Sequence, residues 1–329
     1  MYAGVSRRWG VLGRKHLGLQ YASTHPTRQL LDIWLPTAAG AAGRGPFPFV
    51  LWIHGGGWQA GSRALSPGDY PLDVLPYGVA VVSIDYRLSG DDGSTPYPAH
   101  IHDCKAALRW TKANARRFGL NPGRVVAYGA SAGGHLALHL GLTAGVASMT
   151  DLTLGHPTMD ESVLAVCALF APSVFNQHDA DFASQVTEFG GPASGRGTIC
   201  STSTQESWLL GGTGTPINPC SATAEVHNRS DTAYWVANGT AFQPGARRLA
   251  GVRLMHGVRS GGVGGDASVA VGQSRRVRDA LIAQGITFAN GTAWEHLEVP
   301  QGAHGVEGDA AWQAERNGIR DWLVARAFA

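Results

Sequence analysis

One serine in the chain lies in a sequence frame that could activate a hydroxyl group. Ser131 is the centre of a Gly-x-Ser-x-Gly motif at residues 129–133, and no other serine lies in such a frame. An apolar run at 124–128 precedes the motif and predicts a buried strand, and the residues from Gly134 onward predict a helix. A serine on so sharp a turn needs small neighbours, because larger side chains would collide. This context predicts a nucleophilic serine raised between a strand and a helix.

A second motif could stabilise negative charge next to this serine. His54-Gly55-Gly56-Gly57-Trp58 follows a continuous apolar run at 47–53, which predicts a strand covered on both faces. Three glycines leave backbone N–H groups free to face a ligand, which is the pattern of an oxyanion hole. We interpret His54 as a structural residue whose ring fixes the loop. Trp58 could line an acyl pocket or simply cover the core.

A serine nucleophile needs a general base, which we assign to a histidine near the carboxyl end of the chain. On a strand–turn–helix corner of this kind, the chain order is serine, acid, histidine. Only His296 and His304 follow residue 266. His296 lies inside a predicted strand at 294–299, whereas His304 follows that strand on a glycine-flanked loop. His304 is therefore the predicted base.

The acid that would orient the histidine can be found by elimination. Asp266 is the only acidic residue between Asp231 and Asp279, and it follows a predicted strand at 252–256. A carboxylate there would hold the imidazole tautomer and stabilise the imidazolium. Asp179 or Asp181, after the preceding strand, is the alternative acid.

The elements that must position these groups alternate between strands and helices. Strands are predicted at 19–24, 29–35, 47–53, 79–84, 124–128, 164–170, 252–256 and 294–299, and helices at about 99–118, 134–140, 273–284 and 309–328. This order predicts an α/β fold with a mainly parallel eight-stranded sheet between layers of helices.

The segment 171–250 differs from the rest in composition. It is rich in Gly, Ser, Thr and Asn and has little periodicity. We interpret it as an irregular cap, or lid, inserted over the site within a single domain that spans residues 1–329. A surface excursion without contact to the substrate is the alternative.

Composition excludes several classes of partner. The formal net charge is only +2 and charged residues are 15% of the chain, so we expect no nucleic-acid partner. No apolar stretch approaches the length of a membrane span, and no run of signal-peptide length follows the basic N-terminus. We therefore expect a soluble protein, cytoplasmic by default or secreted if a signal was removed. The oligomeric state is not predicted.

Cysteines and paired histidines suggest no metal site. Cys200 and Cys220 could form a disulfide or remain two free thiols, because spacing alone does not decide pairing. His135 and His139 are four residues apart on a predicted helix, which is the spacing of a metal-binding pair. No third ligand accompanies them, so we predict core or surface histidines and no metal or other cofactor.

These residues give the chain a resemblance to the α/β-hydrolase superfamily. It resembles most the serine esterases of the hormone-sensitive-lipase-related and bacterial acetyl-xylan/feruloyl esterase-like branches. The matching stretches are His54-Gly55-Gly56-Gly57-Trp58, Asp85-Tyr86-Arg87-Leu88, Tyr97-Pro98-Ala99, Arg109-Trp110, residues 129–137, His256-Gly257 and Gln273-Ser274. The resemblance covers most of residues 20–170 and 250–328 and leaves the cap unplaced.

The resemblance implies a role for each candidate residue. The nucleophile would be Ser131, the acid Asp266 and the base His304. The oxyanion donors would be the backbone N–H groups of Gly56, Gly57 and Ala132, and Trp58 is a candidate substrate contact. Two departures from the family pattern are Ala130, where many lipase-like relatives carry Asp, and a lengthened loop before the acid.

The activity that the resemblance implies is hydrolysis of small carboxylic esters without a cofactor. Short-acyl and aryl esters, including acetylated or feruloylated carbohydrate, are the favoured substrates. The His-Gly-Gly-x-Trp string is also similar to that of the metal-independent arylformamidases, so amide hydrolysis is an alternative. Acyl transfer and a non-catalytic ligand-binding protein on the same fold are further alternatives.

Overall fold

A single sheet organises the chain. The computed structural model describes residues 13–36, 45–91, 95–189, 198–211, 215–241, 249–258, 260, 265–289 and 291–329. Eight strands of these residues form one sheet in the order β1-β2-β4-β3-β5-β6-β7-β8. The strands are β1 (Lys15–Gln20), β2 (Leu30–Trp34), β3 (Phe47–Ile53), β4 (Ala80–Ile84), β5 (Leu120–Ala130), β6 (Ala165–Leu169), β7 (Gly251–Val258) and β8 (Trp294–Pro300).

The strand pairing confirms the predicted mainly parallel sheet. β2 pairs antiparallel with both β1 and β4, and the other neighbouring strands are parallel. In the parallel part, Ile53 lies beside Gly129 and Gly129 beside Ala168, so the strand ends are aligned. The loops that follow β3, β5, β7 and β8 therefore leave the sheet at the same edge, which is where ligands bind in open α/β sheets.

Helices cover both faces of the sheet because successive strand residues point to opposite sides. In β3, Phe49, Leu51 and Ile53 join one apolar cluster, whereas Val50 and Trp52 join the other. Burying a side chain of this size contributes roughly 1.5–3 kcal/mol. The helices are α1 (Ala99–Ala113), α2 (Ala115–Phe118), α3 (Ala132–Leu142), α4 (His178–Phe189), α5 (Gln205–Gly211), α6 (Ala224–Ser230), α7 (Thr232–Asn238), α8 (Val271–Ala283) and α9 (Ala310–Phe328).

Several element boundaries differ from the sequence prediction; β5, for example, begins at Leu120 rather than at residue 124. The first strand begins at Lys15 rather than at residue 19, because its position is set by pairing with β2 (Leu19 lies beside Leu31) and not by its own exposed pattern. The helix expected at 99–118 is divided into α1 and α2 at Asn114, whose side-chain amide donates to Trp110 O (2.9 Å) and caps the first helix.

The segment 171–250 is more helical than the sequence predicted, since α4, α5, α6 and α7 all lie in its described part. Two of these helices pack on the helical layer that covers the sheet, α4 against α8 and α7 against both α3 and α8. Cys200 and Cys220, left open by the sequence, are joined by a disulfide, and their Cα atoms are 5.1 Å apart. No helix in the described ranges is long and apolar enough to cross a bilayer.

Candidate active site

Ser131 lies at the sharp turn between β5 and α3, in a backbone conformation that few residues other than glycine adopt. Its φ is 56° and its ψ is −126°, which costs roughly 1–3 kcal/mol. The turn is held by close backbone packing. A Cβ on Gly129 would lie 2.2 Å from Gly133 O, and a Cβ on Gly133 would lie 2.0 Å from Ile53 O. The glycines of the motif are therefore required by the space available at this turn.

The structure brings Ser131, His304 and Asp266 into one chain of hydrogen bonds. Ser131 Oγ lies 2.9 Å from His304 Nε2, and His304 Nδ1 lies 2.8 Å from Asp266 Oδ2. These residues follow β5, β8 and β7 respectively, at the shared edge of the sheet. A carboxylate can only accept, so His304 donates from Nδ1 and is left with a lone pair on Nε2 facing the serine hydroxyl. This is the geometry of a hydroxyl with an oriented general base.

The carboxylate of Asp266 is buried yet stays ionised. Its Oδ1 accepts from the backbone N–H groups of Ser268 (2.7 Å) and Val269 (2.8 Å). Burial by itself would raise the pKa of this carboxyl. The contacts with His256 and His304 outweigh burial and hold the pKa well below its usual range. Asp266 can therefore stabilise a positive charge on the His304 imidazole at neutral pH.

The two alternative acids have other partners. Asp179 accepts from the backbone N–H of Ile199 (3.0 Å) and from the Thr198 hydroxyl. Asp181 binds the guanidinium of Arg276, with a shortest N···O distance of 2.6 Å. Among the described residues, the carboxylate that contacts His304 is that of Asp266 and not that of Asp179 or Asp181.

The glycine loop after β3 adjoins the serine turn. A Cβ on Gly55 would lie 3.2 Å from Ser131 Cβ, and Gly56 and Gly57 have φ values of 112° and 58°. Ala132 is the first residue of α3, so its N–H has no acceptor inside that helix. The glycine loop and the start of α3 thus both adjoin Ser131, and an oxyanion hole would need backbone donors close to this residue. The assignment of Gly56, Gly57 and Ala132 as those donors remains a prediction.

His54 anchors this loop, as the sequence indicated. Its ring stacks on Tyr86 with 4.4 Å between centroids, and its Nδ1 donates to Gly55 O (2.7 Å). Tyr86 completes the connection by donating its hydroxyl to His54 O (2.9 Å). Burial lowers the pKa of His54, so the ring is neutral and holds the backbone at the start of the glycine loop.

Trp58 packs in the core beneath the site. Its side chain is 1% exposed and lies edge-on to the rings of His135 (5.3 Å) and Phe175 (5.6 Å). These contacts favour the core-covering interpretation of this residue, and its contact with substrate stays a prediction.

His135 and His139 of α3 are buried and form hydrogen bonds inside the protein. His135 Nε2 and His139 Nε2 both donate to Ser230 O, at 2.8 and 3.0 Å. Burial lowers the pKa of His135 to about 4, which keeps that ring neutral. Within the described ranges, one cluster has a metal-like composition, Asp179 with Cys200 and Cys220, but the disulfide occupies both sulfurs.

Sequence reasoning assigned no site role to four side chains that lie against the candidate site residues or against the loop that carries His304. His256 lies 3.4 Å from Asp266, and the Phe170 ring lies 4.7 Å from the His304 ring. Trp312 Nε1 donates to Ala303 O (2.7 Å), beside His304. A Cβ on Gly57 would lie 2.2 Å from the Gln205 side-chain amide. Only His256 had a sequence signal, because it ends the same predicted strand that leads to the acid.

The family of this chain is indicated by a model match over more than half of its length. The BD-FAE family model matches residues 31–206. Esterase LipC of Mycobacterium tuberculosis is 34% identical over 143 residues, which are 42% of this chain and 33% of that protein. The chain spans about a third of the length of the curated relatives that it matches.

Solved structures show the same fold along nearly the whole chain. A truncated carbohydrate esterase from gut microbiota has a TM-score of 0.73 at 20% identity, covering 98% of this chain and 99% of that one. A tannase from Lactobacillus plantarum has a TM-score of 0.70 at 15% identity, covering 95% of each chain. At these identities the likeness shows the α/β-hydrolase fold and not the substrate.

Proposed function

This chain belongs to the BD-FAE family, and from that premise we propose that it is a serine carboxylic-ester hydrolase that acts through Ser131, His304 and Asp266. The observation that carries the proposal is the pair of hydrogen bonds, 2.9 and 2.8 Å long, that links the three side chains. The esterase named among its relatives supports the same reaction class. A ligand-binding protein without activity would have no need of an oriented base on a strained serine.

The proposed reaction proceeds through an acyl-enzyme. Ser131 Oγ attacks the ester carbonyl carbon while His304 Nε2 takes the hydroxyl proton, and Asp266 stabilises the resulting imidazolium. Backbone N–H groups of Ala132 and of the glycine loop bind the tetrahedral oxyanion, at roughly 3 kcal/mol of transition-state stabilisation per donor. His304 then protonates the departing alcohol. Water, deprotonated by His304, attacks the acyl-enzyme, and the acid product leaves as Ser131 regains its proton.

We propose small-molecule esters with a short acyl group or an aryl or carbohydrate component as the substrates. This class is the one that the resemblance of the sequence motifs implies. The names of two proteins with the same fold, a carbohydrate esterase and a tannase, agree with it but do not establish the substrate. Amide hydrolysis would use the same groups, so a formamide is included in the test below.

We also propose that the chain is one domain in which 171–250 serves as a cap over the site. Two of its glutamines support this role. Gln205 of α5 lies against Gly57, and Gln185 of α4 donates to Asp266 O (3.1 Å) while accepting from Val271 N (2.9 Å). The segment therefore contacts both the glycine loop and the acid loop.

Hydrolysis of p-nitrophenyl esters from acetate to decanoate tests the reaction. We expect the rate to be highest for the short acyl groups and to fall by about 10⁴-fold or more in Ser131→Ala, because the nucleophile is gone. Ser148→Ala, an exposed serine, is the matched control and should keep the wild-type rate.

Three results would redirect the proposal. A wild-type protein that cleaves an aryl formamide but no ester would be an amidase. Equal rates for wild type and Ser131→Ala would exclude this serine as nucleophile. A folded protein that neither hydrolyses esters nor reacts with a fluorophosphonate probe would contradict the esterase proposal and favour a binding protein.

A further inference from the structure

A second histidine lies against the carboxylate of Asp266. His256, on β7, is fully buried, and its Nε2 lies 3.4 Å from Asp266 Oδ2, the oxygen that binds His304. The same nitrogen lies 2.8 Å from Val269 O, and the ring's Nδ1 lies 2.6 Å from Ser274 Oγ. The ring is thus wedged between the acid loop and the start of α8.

The neighbours of His256 determine where its proton is. A backbone carbonyl can only accept, so the nitrogen that faces Val269 O must carry the hydrogen. That N–H edge also faces Asp266 Oδ2. With the proton on Nε2, the neutral ring accepts at Nδ1 from the Ser274 hydroxyl. Ser274 therefore maintains the tautomer that points a donor at the acid, and both ring nitrogens are satisfied.

The two oxygens of Asp266 are held in different ways. Oδ1 accepts from two backbone N–H groups, at 2.7 and 2.8 Å, which belong to the same loop as the aspartate itself. Oδ2 faces two histidine rings, that of His256 on β7 and that of His304 on the loop after β8. Without His256, Oδ2 would be held by the hydrogen bond to His304 alone, with no second group on the side of β7 to keep it in place.

Charged groups on the surrounding elements are already paired with one another. Arg276 on α8 binds Asp181 on α4, and Arg275 on α8 binds Glu298 on β8. His296 on β8 is mostly buried, and burial lowers its pKa to about 4, so it remains neutral. Within the described ranges, the basic side chains within 4 Å of the Asp266 carboxylate are His304, which is hydrogen-bonded to Oδ2 at 2.8 Å, and His256, whose Nε2 faces the same oxygen at 3.4 Å.

We propose that His256 is a positioning residue that keeps Asp266 Oδ2 in place for His304, with Ser274 maintaining its tautomer. This role rests on the proposed function of Ser131, His304 and Asp266. His256 does not contact the reacting atoms in this arrangement. Its removal should lower the rate of the chemical step and leave substrate binding unchanged.

Kinetics of four variants test this role. His256→Leu should lower kcat for p-nitrophenyl acetate by about tenfold, the low end of the effect of one donor facing a charged acceptor, with KM within about twofold of wild type. His256→Gln can place an amide N–H near the position of Nε2, so we expect it to keep at least a third of the wild-type kcat. Ser274→Ala, which frees the tautomer, should lose about threefold. His296→Gln, on the neighbouring strand, is the control and should be unchanged.

The hydrogen bond itself can be observed without turnover. A proton shared between His304 Nδ1 and Asp266 Oδ2 is strongly deshielded, so it should give a far-downfield proton NMR signal in wild type, His256→Gln and His296→Gln. We expect that signal to move upfield or broaden in His256→Leu and, to a smaller extent, in Ser274→Ala. A merely structural residue would lower thermal stability without selectively changing kcat or this signal.

The possible outcomes separate this inference from the proposed function. Wild-type kcat and an unchanged downfield signal in folded His256→Leu would overturn the role of His256 while the esterase stands. Equal losses in folded His256→Gln and His256→Leu would also overturn it, because the donor would not matter. If His256→Leu does not fold, Ser274→Ala and His256→Gln decide the question by the same two measurements. If the wild type hydrolyses no ester, the NMR comparison still tests the contact.

Discussion

The two halves of the candidate site are built by different physical means. On the serine side, shape does the positioning: Ser131 has a φ of 56° because Gly129 and Gly133 allow the backbone of β3, β5 and α3 to approach within the space of a single Cβ. On the side of His304 and Asp266, the side chains are positioned by hydrogen bonds and by aromatic and imidazole rings that come from separate strands. Asp266 is held by two backbone donors and faces two histidines, and His304 rests on Phe170.

This difference indicates how each half should fail. Packing of backbone against backbone is independent of pH and does not tolerate an added methyl group. Hydrogen bonds to a carboxylate tolerate small shifts but depend on its charge. Substitutions of the glycines on the serine side should therefore act mainly on folding, whereas those on the acid side should act mainly on rate and on the response to pH.

The largest expected effect is on the acid side. Asp266→Asn should lower kcat by about 10⁴-fold, because an amide cannot stabilise the His304 imidazolium and favours the wrong tautomer. The protein should still fold, since the amide oxygen can accept from Ser268 and Val269. Ester hydrolysis with the purified variant measures the loss. Asp179→Asn is the control, and a comparable loss there would move the acid role to Asp179.

On the serine side, Gly133→Ala should prevent or strongly weaken folding. The added Cβ would lie 2.0 Å from Ile53 O, a backbone atom that cannot move without shifting β3. We expect a loss of about 3 kcal/mol or more in the free energy of unfolding, measured by denaturant titration. Gly90→Ala is the matched control, because nothing lies within 4 Å of its added Cβ. Equal stability of the two variants would show that the serine turn is not close-packed.

The stability contributed by the acid side of the site should depend on pH, whereas that contributed by the serine side should not. The pKa of Asp266 is held below the ordinary 3.8, so its stabilising contribution is complete above that value and is lost as the pH falls through the folded-state pKa. The difference in unfolding free energy between wild type and Asp266→Asn should be constant from pH 5 to 7. It should shrink by about 2 kcal/mol toward strongly acidic pH. For a destabilised but folded serine-side variant, the difference should not change with pH.

The smallest expected effect concerns the loop that carries His304. Trp312→Phe keeps an aromatic ring against Phe170 but removes the hydrogen bond to Ala303 O. We expect a loss of about 1 kcal/mol in stability and about threefold in kcat. Trp322→Phe, on the same helix, also loses one hydrogen bond (to Thr292 O, 3.0 Å) and should lose stability alone. Equal kcat in both variants would show that the loop does not depend on this bond.

Much of the fold was predictable because its signals are local. Continuous apolar runs marked the buried parallel strands, and the confirmed α/β sheet contains all eight. The least accurate element was the exposed edge strand β1, whose limits depend on pairing with β2 rather than on its own side chains. The helices of 171–250 were missed because short helices held by tertiary packing need no strong periodicity of their own.

By itself the sequence determined the serine turn, its glycine loop and the succession of strands and helices along the chain. Steric requirements on the backbone leave small residues at fixed spacing, and burial on both faces leaves apolar runs. Only the tertiary structure decided which polar groups meet. The sequence left Asp179 and Asp181 open as alternatives to Asp266, and the fold places Asp266 against His304 because parallel strands end at one edge. Gln205 reaches the glycine loop through a contact that no local pattern encodes. Cys200 and Cys220 became a disulfide for the same reason, since spacing along a chain does not determine distance in space.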